Sequence, residues 1–169
     1  MTKHRLSTNL IGIIDGLVRD NKTLAKYLEN NVSNPLTCKS FVDSEKYDCT
    51  KLIMTKVFPF PFDVDSTLQE GSQVRVFYYS GEMNTDTVVR DSLVVFDIII
   101  AKSLWLINDG KPSLRPYDIA DEIMKHFRDK SITGVGRLHF IEFAHLMVNE
   151  KFSGIRLFAE VTDFVANEI

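Results

Sequence analysis

Residues 93–101, Leu-Val-Val-Phe-Asp-Ile-Ile-Ile-Ala, are apolar at both odd and even positions. Side chains alternate between the two faces of a strand, so a strand of this composition needs cover on both faces. The run is too short for a membrane span, which takes roughly 18 apolar residues, and Asp97 interrupts it. It therefore belongs inside a sheet, under helices or another subunit.

Its neighbours supply that sheet. Ser72–Tyr79 alternates, with Val74, Val76 and Tyr78 on one face and Arg75, Phe77 and Tyr79 on the other. Gly154–Thr162 alternates as well: Ile155, Leu157, Ala159 and Val161 oppose Arg156, Phe158, Glu160 and Thr162. Gly136–Met147 is a less regular strand, with His139, Ile141, Phe143 and His145 against Leu138, Phe140, Glu142, Ala144 and Leu146. A further strand is expected over Lys51–Phe58. Pro59 and Pro61 stop it, because proline cannot donate to a ladder. That leaves Phe58, Phe60 and Phe62 displayed on an extended segment.

The helical signals are separate. Arg115–Arg128 carries Pro116 in its first turn, Asp118, Asp121 and Glu122 near its start, and Lys125, His126, Arg128 and Lys130 at or beyond its end. Ile119, Ile123 and Phe127 form its apolar stripe. Leu6, Leu10, Ile13, Ile14 and Leu17 predict a helix over Leu6–Val18, capped by Ser7 or Thr8. Gly12 and Gly16 weaken it by about 1 kcal/mol each but allow close approach. A short second helix, around Leu24, Tyr27 and Leu28, ends near Asn30-Asn31. Residues 32–50 read as a polar connecting arm, and Asp63–Gly71 and Ser80–Arg90 as loops. Asn108–Pro112 reads as a turn. The expected fold class is α+β, an antiparallel β-sheet with N-terminal helices and one amphipathic helix packed on the sheet. One domain over residues 1–169 is expected.

At 44% hydrophobic and 25% charged, the chain can build a core without staples. Its net charge of -3 argues against a strongly basic nucleic-acid binder. Cys38 and Cys49 allow one disulfide or two thiols, and a reducing cytosol favours the thiols. Met1–Arg5 is charged, but Asn9, Gly12, Asp15 and Gly16 interrupt the segment after it, so no secretory signal is read. A soluble chain, intracellular when made and without a membrane association, is expected.

No chemical motif is complete. His139 and His145, on one face of one strand, would lie about 20 Å apart, too far for a shared metal. Thr133-Gly-Val-Gly-Arg137 lacks the Lys-Ser/Thr ending of a phosphate loop and comes after a helix, so Gly134 or Gly136 is read as a helix C-cap. Asp91, Asp97, Glu142, Glu160 and Asp163 are carboxylates that nothing in the sequence pairs. The expectation is no catalytic residue, no cofactor, no metal and no enzyme. What remains is aromatic: Phe58, Phe60, Phe62, Phe77, Tyr79 and Phe158. Aromatics on a polar sheet face point to an interface with another subunit or partner. A second layer built from the N-terminal helices would cover them nearly as well.

This order of elements resembles the tail-terminator (tail-completion) proteins of long-tailed bacteriophages and their relatives among neck proteins. The phrases that carry the likeness are Lys102-Ser-Leu-Trp-Leu-Ile107, Arg115-Pro-Tyr-Asp-Ile-Ala120, Gly134-Val-Gly-Arg-Leu138 and Phe152-Ser-Gly-Ile-Arg-Leu157. The resemblance implies a homo-oligomeric ring, usually a hexamer, seated on the last ring of the tail-tube protein. That ring would meet the head-tail connector protein and let phage DNA pass through its lumen without sequence recognition. It implies a virion protein of the tail or neck, assembled in the host cytoplasm, with residues 32–50 as a docking arm. Other head-closure or connector roles stay open. So does a small ligand-binding or enzymatic α+β protein with Asp97 and Glu142 converging in a cleft.

Overall fold

The computed structural model describes residues 6–64, 69–83 and 89–162. Met1–Arg5, Asp163 and parts of the loops expected at 63–71 and 80–90 lie outside the described residues. The fold is α+β. Helix α1 is Leu6–Val18, α2 Lys22–Glu29 and α3 Arg115–Phe127. The strands are β1 Val57–Phe58, β2 Ser72–Met83, β3 Val89–Ala101, β4 Leu106–Asn108, β5 Pro112–Leu114, β6 Leu138–Met147 and β7 Phe152–Thr162. The main sheet runs β1-β2-β3-β7-β6, while β4 and β5 form a separate hairpin. Only β1 pairs in parallel within that sheet.

The doubly apolar run becomes the middle strand, and its residues from Val94 to Ala101 are buried on both sides. One side is the main core. There Val74, Val76, Val94, Phe96, Ile98, Ile155, Leu157 and Ala159 meet Ile13, Leu17, Leu24, Leu28, Ile119, Ile123 and Phe127 of the helices. Each such side chain contributes roughly 1.5–3 kcal/mol when fully buried.

Local chemistry fixes the helix ends. Asn21 accepts from the Leu24 amide at 3.1 Å and donates to the Leu17 carbonyl at 3.0 Å, so one side chain caps α2 and closes α1. Ser7 and Thr8 lie inside α1 rather than before it. Gly12 and Gly16 do permit close packing: a Cβ there would sit 3.5–3.7 Å from Ile132, which lies against this face. Arg115 is fully buried at the start of α3. Its guanidinium donates to the carbonyls of Leu104 (2.9 Å), Tyr27 (2.6 Å), Asn30 (3.1 Å) and Val32 (2.6 Å). The carbonyls at the end of α2 carry the negative pole of that helix, so the cation is satisfied there without a carboxylate.

Four expectations are corrected. The strand expected from Lys51 is a 3₁₀ turn, Cys49–Leu52, capped by Asp48, and only Val57–Phe58 enters the sheet. Residues 32–50 are not a free arm. Val42 and Cys49 are buried, Leu36 and Tyr47 pack on the core, and Ser40 with Asp43 forms a capping box. Gly134 and Gly136 are not helix caps. Both have positive φ (80° and 82°) in a tight turn where the Ile132 amide donates to the Gly136 carbonyl at 2.8 Å. Finally, a β-bulge between Phe140 and Glu142 flips the later half of β6. His139 pairs with Glu160, while His145 pairs with Ile155 on the opposite face.

Candidate interaction face

Among the described residues, no helix lies on the second face of the sheet. Gln73, Arg75, Phe77 and Tyr79 of β2, Val95, Asp97 and Ile99 of β3, and Arg156, Phe158 and Glu160 of β7 alternate onto it. The helices pack on the other side, where the Tyr78 hydroxyl donates to the Leu6 carbonyl of α1 at 3.1 Å. The expectation of a helical second layer over the aromatics is therefore overturned.

Register places Arg75, Asp97 and Arg156 side by side across three strands of this face. Asp97, only 3% exposed, accepts both available bonds from Arg156, Nε at 2.6 Å and Nη2 at 2.7 Å. The carboxylate raises the pKa of Arg156, an effect that burial partly offsets. Arg156 also lies 5.7–6.0 Å from the ring centres of Phe77, Tyr79 and Phe158. Tyr79 and Phe158 meet edge-on at 5.8 Å.

Arg75 is treated differently. It is 5% exposed, and among the described residues no carboxylate pairs with it. Its Nε donates to the Gln73 side-chain oxygen at 2.8 Å. Phe58 lies 3.9 Å from its guanidinium, with Phe60 and Phe62 at 5.3 and 5.4 Å. Burial alone lowers its pKa. The Phe58-Pro-Phe-Pro-Phe62 segment is thus displayed outward only in part, at Phe60. It folds back over the sheet, where Phe62 also packs on Phe152 above Ile99 and Ala101.

All six aromatics picked from the sequence fall on this one face, three around each arginine. Tyr79 remains 57% exposed and Phe60 45%. Sequence reasoning missed the arginines at their centres. The signal was present: Arg75 precedes Phe77 and Tyr79, and Arg156 precedes Phe158, at the two-residue spacing of one strand face.

The other candidates separate. Asp97 is held in the ion pair with Arg156, while Glu142 is exposed on β6. Asp91 and Glu160 line a surface cavity of about 450 Å³ with Glu82 and Ile141, at the end of the sheet away from Phe62. Among the described residues, no group of three or more metal-binding side chains gathers. Both cysteines are free thiols, and burial pushes the Cys49 thiol up, away from nucleophilic use. Among the described residues, no helix is long and apolar enough to cross a membrane.

The sequence profile of the YomW family matches residues 21–161, a span that runs from the cap of α2 to β7. No curated protein and no solved structure matches the chain. The chain therefore belongs to the YomW family, a phage-associated family of Bacillus prophage type.

Proposed function

We propose that copies of this chain form a ring that caps the tail tube and joins it to the head connector, as a tail terminator does. The observation that carries this reading is the sheet face on which no described helix lies, with its six aromatics around two arginines in a protein of a phage-associated family. A face of this kind has the aromatic and arginine enrichment of protein interfaces. The element order supports the same reading. On this reading the chain is a structural virion component without enzymatic activity. Phage DNA would cross the lumen unread, and the net charge of -3 suits a lumen that must not hold phosphates.

Tyr79→Glu tests it, because Tyr79 is exposed whereas Phe77 and Phe158 also support Arg156. The variant should fold as the parent does and fail to assemble on tail tubes, with Phe77→Asp and Phe158→Asp failing as well. Normal assembly of a folded Tyr79→Glu protein would remove this face from the interface.

A further inference from the structure

The two margins of the sheet are complementary. Near one margin, on β2 next to the two-residue edge strand β1, stands Arg75. It is a buried cation with Phe58 3.9 Å and Phe60 5.3 Å from its guanidinium, and it has no carboxylate among the described residues. Aromatic faces stabilise a guanidinium but leave its edge, where an acceptor in the plane makes two bonds. A charge held out of water without a counter-charge is costly, so this site favours an incoming anion.

The opposite margin is β6, a long edge strand whose outer backbone groups have no neighbour in the sheet. Here Glu142 lies on the same face as Arg75, paired in register with Phe158. It is exposed, and no partner holds it among the described residues. Beside it Ile141 is 53% exposed, whereas Phe143 pairs with Leu157 on the helix-bearing face. Ile141 is the bulge residue, and bulges re-aim side chains at strand edges.

We infer that Glu142 of one copy docks on the Arg75–phenylalanine cage of a second copy, with Ile141 against Phe58 and Phe60. One chain supplies both halves: a caged cation and an exposed carboxylate beside Ile141, neither paired with an opposite charge among the described residues. A nucleic-acid phosphate fits less well, because phosphate binding needs several accessible cations and this cage offers one, deeply set. The two halves lie at different margins, so the contact is head-to-tail, and such contacts propagate into a closed ring or a filament. The inference rests on the ring reading and gives that ring its subunit contact.

Photo-crosslinking tests it. Benzoylphenylalanine is placed at Ile141 of one copy, mixed with an isotope-labelled second copy, and irradiated both free and on tail tubes. Adducts should join position 141 of one copy to the Phe58–Phe62 segment of the other. Glu142→Lys should lower their yield at least about tenfold, because it sets like charges together in a desolvated site, while Glu150→Lys leaves the yield unchanged. Adducts mapping elsewhere, no adducts, or equal yields from the two lysine variants would overturn the contact. Electron microscopy of the same samples separates the two ideas. Rings that form with or without Glu142 keep the ring reading and reject the contact, whereas adducts without rings do the reverse.

Discussion

Arg156 and Asp97 form a two-point ion pair across β7 and β3, at 2.6 and 2.7 Å, beside the rings of Phe77, Tyr79 and Phe158. The pair fixes the middle of the sheet face they share. It orients the Arg156 guanidinium toward Phe77, Tyr79 and Phe158, and it leaves Arg75, in the same register row, without the nearest carboxylate.

Asp97→Ala should therefore cost more than a surface ion pair would. Removing one partner of a largely buried pair costs about 3–5 kcal/mol. Arg156 is partly exposed, which places the loss at the lower end of that range. Denaturant unfolding reads it. Asp97→Ala combined with Arg156→Met should recover part of the loss, because no uncompensated charge then remains.

Arg115→Lys should be nearly as damaging as Arg115→Met. Four carbonyls from Tyr27, Asn30, Val32 and Leu104 converge on one planar guanidinium. An ammonium offers at most three donors, with no fixed fork. At least one carbonyl is left unpaired, at about 1–3 kcal/mol each. Loss of amide-exchange protection should start where α2 meets α3.

Gly154→Ala should not fold to this structure. A Cβ at Gly154 would lie 1.7 Å from the Ile98 carbonyl oxygen, inside the β3–β7 ladder. Backbone cannot yield there without parting two central strands, so the cost exceeds the roughly 1–3 kcal/mol of ordinary overpacking. Soluble yield and circular dichroism check it.

Stability should fall in two steps as pH drops. His126 Nε2 lies 2.8 Å from both the Gly16 carbonyl and the Lys130 ammonium. Burial first, with the Lys130 charge adding to it, lowers its pKa below the ordinary 6.5, against the opposing Gly16 contact. A depressed histidine binds its proton more readily when unfolded. Its contribution is full above pH 6.5 and is lost as pH falls through the folded value. The second step comes from Asp15, Asp43 and Asp48, which hydrogen bonds hold below 3.8. Their contribution is present above that value and is lost below it. His126→Gln should remove the upper step and keep the lower one in thermal melts across pH.

The sequence made the regular elements legible where periodicity and end signals agree. The apolar faces of α1 and α3, and the alternation in β2 and β7, are each visible without the structure. Position along the sheet was not legible. A single bulge at Ile141 reverses the later half of β6 and separates His139 from His145, and nothing in a two-residue alternation announces one extra residue. Residues 32–50 look polar because their few apolar side chains are spaced without a period, yet Leu36, Val42 and Tyr47 reach the core while Val32 and Phe41 stay exposed. The aromatic face was found by composition. Its organising arginines were not, because an arginine in a strand ordinarily reads as solvated, and only register brings Arg75, Asp97 and Arg156 into one row.

The most direct test of the central claim is electron microscopy of tail tubes incubated with the purified protein. The account predicts a closed ring of this chain at one tube end, with the aromatic face buried between subunits or against the tube. A protein that never binds tubes, with Tyr79 and Phe60 still open to solvent labelling in assembled particles, would contradict it.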